Sequence, residues 1–164
     1  MKKQPSQTKR VMQHALLQQF KVVRQHTVDI CKPLKTEDYV VQPSPEVSPP
    51  KWHLGHTSWL FEEVILKRHL PGYQYYNQAY CTLFNSYYKL VGAHTTQSER
   101  GNLSRPTVAE VMAYREHVNA QMLSFMSADL PSPELASLIE TAIHHEQQHQ
   151  ELLNMENKAI MASN

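Results

Sequence analysis

Glycine is scarce in this sequence, and that scarcity limits the possible folds more than any other feature. The 164 residues include 4 Gly and 10 Pro, and neither Asn-Gly nor Asp-Gly occurs. Sheet folds turn often and use such dipeptides in their hairpins. The prolines are clustered, most densely at positions 43–50. The sequence therefore predicts a single all-α domain in which proline-marked loops join the helices.

Four segments have the periodicity of amphipathic helices, with apolar residues recurring at intervals of three and four. Thr107 and Glu110 have the spacing of a capping box, and Ser132 is a suitable N-cap before Pro133. The predicted helices span about 6–32 and about 52–70, with one more beginning after Thr107 and one after Ser132. Four helices with long crossover loops predict a four-helix bundle, an architecture that often holds metal sites. The loop at 73–105 is long enough to be a candidate site loop.

Charge and composition exclude several classes of protein. Lys and Arg total 16 against 15 Asp and Glu, which is not the charge balance of a dedicated nucleic-acid binder. No apolar run approaches the ~20 residues of a membrane span, and the basic start lacks the apolar core of a signal peptide. Cys31 and Cys81 have no C-x-x-C spacing. We expect a soluble cytoplasmic protein with neither nucleic-acid nor membrane partners.

Histidine is abundant, with 10 residues, and two of them have the spacing of metal ligands. His145 and His149 are four positions apart in AIHHEQQHQELL, so a helix places both on one face. Leu138 and Ala142 precede them on the same face, which directs the pair into the bundle. His144 is rotated by ~100° and is expected at the edge or in solvent. Two buried histidines can also satisfy each other, but the pattern favours metal ligation.

A third ligand must come from another part of the chain. Glu151 follows His149 by two positions and points away, and Glu156 lies ~10 Å further along the helix. The second predicted helix offers His53 and His56, three positions apart in KWHLGHTSW. Either one, with the pair, gives a three-His site with open coordination positions. Spacing alone does not choose between them.

The segment from His145 to His149 also matches the zinc-protease pattern H-E-x-x-H, in which Glu146 would be the general base. Such enzymes need a further ligand well beyond the second histidine. No histidine follows His149. A zinc hydrolase is therefore the less favoured alternative.

Several aromatic residues near the second predicted helix suit either a cage for a cationic ligand or ordinary packing. Packing is the simpler interpretation. These residues are Trp52, Trp59, Phe61, Tyr75 and Tyr76.

Four longer blocks cover most of the chain, from about Gln13 to Leu153. They are EDYVVQPSPEVSPPKWHLGHTSWLFEE, LFNSYYKLVGAH, RGNLSRPTVAEVMAYREHV and HHEQQHQELL. Together they resemble the N-terminal, DinB-like domain of the ergothioneine and ovothiol sulfoxide synthases, which are non-haem iron enzymes. The resemblance implies a DinB-like four-helix bundle over 13–155, with a flexible N-terminal segment at 1–12 and a C-terminal tail at 156–164.

The resemblance also implies a ligand set and a reaction. It assigns iron(II) (Fe2+) to His56, His145 and His149, and so selects His56 over His53. Members of this family use oxygen to join the sulfur of cysteine or γ-glutamylcysteine to the imidazole of histidine betaine or histidine, which leaves a sulfoxide. Three neutral imidazoles suit this chemistry, since they leave half of an octahedral coordination sphere open.

Three further residues match positions that bind substrate in the family. By resemblance, Gln148 hydrogen-bonds the imidazole substrate, and Arg100 and Arg105 bind its carboxylate. The expected small-molecule partners are therefore the thiol, histidine betaine and oxygen.

The family enzymes also contain a second domain, which resembles the formylglycine-generating enzyme and supplies a proton-donating tyrosine. No residue here matches that tyrosine, so we expect incomplete catalysis by this chain alone. The chain is then a fragment of such an enzyme, a split gene product with a separately encoded catalytic domain as its partner, or a lone DinB-like domain. The alternatives are a stand-alone DinB-like metal-binding or interaction module and a thiol transferase that uses zinc or nickel.

Overall fold

The computed structural model describes residues 7–86, 94–128 and 131–162, and helices dominate all three ranges. No strand occurs in them, which confirms the predicted all-α fold. The long helices are α1 (Gln7–Cys31), α2 (Pro50–Phe61), α3 (Val108–Ala128) and α4 (Pro133–Ala162). Helix α1 packs on α4 and α3, and α2 packs on α3 and α4, so the four helices form a bundle. None of the helices in the described ranges has the length and apolar composition that crossing a membrane requires.

The predicted caps of α3 and α4 are confirmed. The backbone N–H of Thr107 donates to the Glu110 carboxylate over 2.7 Å, and the N–H of Glu110 donates to Thr107 Oγ1 over 3.2 Å. At the start of α4, the N–H of Leu135 donates to Ser132 Oγ over 3.2 Å. These local hydrogen bonds satisfy N–H groups that have no partner within the helix.

Helix α2 continues beyond Phe61 through a π-helical turn, Glu62–Leu66, and a last helical turn, Lys67–His69. Glu62 is fully buried and accepts hydrogen bonds from the hydroxyls of Tyr73, over 2.7 Å, and Tyr114, over 2.5 Å. The turn thus anchors the chain that leaves α2 against α3. The candidate site loop at 73–105 contains a short helix, Tyr80–Leu83, and a 3-10 turn, Gln97–Asn102, while its positions 87–93 lie outside the described residues.

A buried carboxylate joins the helices at the centre of the bundle. Glu146 of α4 is fully buried and accepts hydrogen bonds from Arg24, Arg115 and Thr27 over 3.0, 2.8 and 2.6 Å. Burial alone would raise the pKa of this carboxyl, but the two guanidinium groups outweigh burial and lower it to about 2. We call Glu146, Arg24, Arg115 and Thr27 the Glu146 network.

The same two arginines connect the Glu146 network to the other helices. Arg24 of α1 also donates to Ser58 Oγ of α2 over 2.8 Å and to Asn119 Oδ1 of α3 over 2.6 Å. Arg115 of α3 donates to Thr57 Oγ1 of α2 over 2.8 Å. Every long helix therefore contributes a side chain to one connected set of polar contacts.

Helix α1 agrees closely with the helix predicted at about 6–32, whereas α4 extends further towards the C-terminus than the sequence predicted. Helix α1 begins at Gln7, inside the segment 1–12 that was expected to be flexible, and α4 runs to Ala162, through most of the expected tail at 156–164. No Gly or Pro follows Pro133 to interrupt α4. Glu156 and Ile160 are buried, so the last turns of α4 still pack against the bundle.

Replacing Glu146 with Gln should destabilise the fold. The substitution keeps the shape of the side chain but leaves two buried guanidinium groups without their counter-charge, so we expect the free energy of unfolding to fall by about 3 kcal/mol. Urea unfolding followed by circular dichroism measures the change. Glu151→Gln, at an exposed position of the same helix, is the matched control and should change stability by less than about 0.5 kcal/mol.

Acid titration tests the same contact. The carboxyl has a pKa of about 2 in the folded chain and about 4.3 when unfolded. Its stabilisation is therefore complete above about pH 4.3 and is lost as the pH falls towards 2. Between pH 5 and 2, the wild type should lose more stability than Glu146→Gln, and parallel curves would contradict the assignment.

Candidate metal centre

Three histidines from two helices converge inside the bundle. His56 of α2 and His145 and His149 of α4 each present a ligand atom, and these atoms all lie within 4.8 Å of one another. The Nε2 atoms of His56 and His145 are 3.3 Å apart. We call these residues the three-His cluster. The spacing of the sequence left His53 and His56 as alternatives, and the structure places His56 in the cluster.

The proton position on His56 follows from its hydrogen bond. His56 Nδ1 lies 2.7 Å from the backbone carbonyl oxygen of Phe84. A carbonyl can only accept, so Nδ1 carries the hydrogen. In the neutral ring, the lone pair is then on Nε2, the atom that faces His145. This carbonyl thus prepares His56 to bind a cation.

Burial keeps the three-His cluster uncharged at neutral pH. Burial, followed by the proximity of His145, holds the pKa of His56 well below its usual value, and burial lowers the pKa of His145 to about 4. Burial and then His56 lower the pKa of His149. Neutral imidazoles are the ligand form that metals need. A set of three nitrogen donors without a carboxylate suits a divalent transition metal and does not suit calcium or magnesium.

Gly55 allows the chain that carries Phe84 to approach α2. A Cβ atom at this position would lie 2.2 Å from the Phe84 ring, well inside van der Waals contact. One turn away, Trp52 Nε1 donates to the carbonyl of Leu83 over 3.2 Å. The segment after the short helix is therefore held against the helix face that bears His56.

Arg100, Trp52 and His56 form a layered stack beside the cluster. The rings of Trp52 and His56 are nearly parallel, at 11°, with centroids 4.5 Å apart. The Arg100 guanidinium lies 3.3 Å from the centroid of the Trp52 ring and donates to Ser48 Oγ over 2.9 Å. Sequence reasoning assigned Trp52 to ordinary packing, although its position four residues before His56 places both on one helix face.

The other two predicted substrate residues lie at the surface. Arg105 is exposed and donates to the carbonyl of its neighbour Ser104 over 3.0 Å. Gln148 is exposed on α4, three positions after His145. Of the three predicted substrate residues, only Arg100 therefore lies next to the cluster, where it stacks on Trp52 and Trp52 stacks on His56.

His53 and Glu156, two candidate ligands from the sequence, contact each other instead. His53 Nδ1 lies 2.8 Å from His149 Nδ1, and His53 Nε2 contacts the Glu156 carboxylate. Both ring nitrogens of His53 are thus already engaged, Nδ1 with His149 of the cluster and Nε2 with Glu156. The helix rise along α4 explains the position of Glu156, since seven residues separate it from His149 and place it about two turns away.

Glu146 does not have the position that a zinc hydrolase requires. Its carboxylate is fully buried between Arg24 and Arg115, and both of its oxygens accept hydrogen bonds from these side chains. A general base must reach the water that it activates. The interpretation of His145 to His149 as a protease motif is therefore wrong for this chain.

Gly55→Ala should disturb both the packing and the cluster. The added methyl group must displace the Phe84 ring, so we expect a loss of about 1–3 kcal/mol in the free energy of unfolding, measured in urea. Phe84→Leu removes part of the ring, so the two substitutions together should cost less than the sum of their separate effects. A Gly55→Ala variant as stable as wild type would show that this close approach is unimportant.

Comparison with protein families matches residues 19–153 to the family described as the DinB superfamily. The matched range contains the three-His cluster and the whole Glu146 network. Comparison with curated proteins gives no match.

Proposed function

Because the chain belongs to the DinB superfamily, we propose that it is a metal-binding helical bundle whose ligands are His56, His145 and His149. The observation that carries the proposal is the convergence of three ligand atoms within 4.8 Å of one another. Burial favours the neutral form of each ring, and the Phe84 carbonyl leaves a lone pair on His56 Nε2. These residues would hold the ion without a protein anion among its direct ligands.

We further propose that the metal is iron(II) and that the domain serves an oxygen-dependent sulfoxide synthase of the ergothioneine type. The supporting observation is that the WHLGHT and HHEQQHQELL blocks, which resemble that family, supply all three histidines. Bound iron(II) would supply the oxygen chemistry that joins the sulfur of cysteine or γ-glutamylcysteine to the imidazole of histidine betaine. A second, catalytic domain would complete the substrate pocket.

Among the described residues, Arg100 is our candidate for binding a substrate carboxylate. It is buried, and its Nε has no hydrogen-bond partner among the described residues. A buried guanidinium is costly to desolvate, and a carboxylate offsets that cost through charge-assisted hydrogen bonds. Gln148 and Arg105, at the surface, would contact the imidazole and the carboxylate of the substrate from the rim of the site.

Anaerobic titration with iron(II) tests the metal site. We expect one ion per wild-type chain. His56→Ala and His149→Ala should each weaken binding by more than about 100-fold, beyond the 10–100-fold typical of residues that only support a ligand. His144→Ala, at an exposed position next to His145, is the matched control and should bind as wild type does. Wild-type protein that binds no metal would contradict the proposal.

Calorimetric titration of the iron-loaded protein with histidine betaine, under nitrogen, tests the substrate class. We expect Arg100→Ala to weaken binding by about 10-fold or more, because a charge-assisted hydrogen bond contributes about 1.5–3 kcal/mol. Arg105→Ala should have a smaller effect, since this arginine is exposed. If Arg100→Ala binds histidine betaine as tightly as the wild type does, the assignment of Arg100 to the substrate carboxylate fails while the metal site stands.

A further inference from the structure

We propose that His53 and Glu156 are positioning residues, which fix the ring orientation and the proton position of His149 through a hydrogen-bonded chain. The proposal rests on the proposed function, because His149 must be a metal ligand for its orientation to matter. The chain runs from Glu156 to His53 to His149, and we call it the outer relay. It crosses between helices, since His53 belongs to α2 and the other two residues belong to α4.

The hydrogen-bond chemistry of the outer relay leaves one consistent arrangement for neutral rings. A carboxylate only accepts, so the contact with Glu156 places a hydrogen on His53 Nε2. The neutral ring of His53 then has its lone pair on Nδ1. That atom lies 2.8 Å from His149 Nδ1 and accepts a hydrogen from it. The lone pair of His149 is consequently on Nε2, where it is available to a metal ion.

Burial makes the outer relay stiff and shields it from water. His53 is 1% exposed and Glu156 is 9% exposed. The His53 ring packs edge-on against Trp52 and His149, with centroids 5.6 and 5.0 Å apart. In such surroundings a hydrogen bond to a charged group is stronger than in water. Rotation of the His149 ring would break its hydrogen bond to His53 inside this packed region.

The outer relay also supplies a negative charge that the ligand set lacks. His56 is oriented by a neutral carbonyl, whereas His149 is connected through one imidazole to the Glu156 carboxylate. A carboxylate behind a ligating histidine increases the basicity of the ring, and loss of such a partner typically costs 10–100-fold in metal affinity. Glu156 therefore strengthens the site without touching the metal.

Cobalt(II) titration of the whole chain, under nitrogen, measures the contribution of the outer relay. We expect His53→Ala to weaken cobalt binding by 10–100-fold. Glu156→Gln keeps an oxygen that can accept from His53 but removes the charge, so its loss should be smaller, at about 10-fold, and Glu156→Ala should lose more. The matched controls are Glu151→Gln and His144→Ala, exposed positions of the same helix, and both should bind as wild type does.

A spectroscopic measurement separates positioning from a general loss of stability. In the zinc-loaded protein with 15N-labelled histidine, His149 should carry its hydrogen on Nδ1, and that hydrogen should exchange slowly with water. His53→Ala should make the exchange fast while the signals of His56 stay unchanged. Thermal unfolding of the metal-free variants reports the effect on stability separately.

Two results would overturn the proposal in distinguishable ways. If His53→Ala and Glu156→Gln bind cobalt within twofold of wild type while His149→Ala abolishes binding, the outer relay has no positioning role and the metal site stands. If His149→Ala itself binds as wild type does, the proposed function fails, and the relay with it. Glu156→Gln is nearly isosteric and keeps the test valid if His53→Ala does not fold.

Discussion

The three-His cluster depends on the burial of one carboxylate, Glu146. Two arginines from α1 and α3 hold it, and they also reach hydroxyls on α2, so the rotation of α4 is determined by contacts with every other long helix. Adjacent residues of a helix differ in direction by ~100°. Once Glu146 faces the arginines, His145 is turned towards α2 and meets His56. A polar contact at the centre of the bundle thereby sets the direction of the ligands.

The second constraint acts from outside the bundle, on α2. The carbonyls of Leu83 and Phe84 accept hydrogen bonds from Trp52 and His56, and the absence of a side chain at Gly55 allows the Phe84 ring to lie against the helix. The Arg100 guanidinium then stacks on the Trp52 ring. Residues from the long connection between α2 and α3 thus orient His56 and add Arg100 to the stack beside it. Functional residues are commonly found on loops that a rigid scaffold positions.

Local rules predicted the parts of the molecule that depend on one helix at a time. The glycine and proline pattern gave the all-α class, Thr107 and Ser132 marked two helix starts, and the four-residue spacing put His145 and His149 on one face. Whether His53 or His56 meets the histidines of α4 depends on the position of α2 along α4. The residue pattern of α2 alone does not determine that position. Glu146 is separated from Arg24 and Arg115 by 122 and 31 positions. These ion pairs could not be predicted either, because they also depend on how the helices pack. Helix α4 extends beyond its expected end because Ile160, which lies after the histidine motif, is still buried against the bundle.

The position of Glu146 also bears on protein design. Within HEQQH, the two histidines belong to the three-His cluster, whereas the glutamate pairs with two arginines on other helices. Grafting these five residues onto another bundle would carry a buried anion into a core without matching cations, at a cost of several kcal/mol. The portable unit is therefore the pentapeptide together with Arg24 and Arg115, a set that is contiguous in space and scattered in sequence.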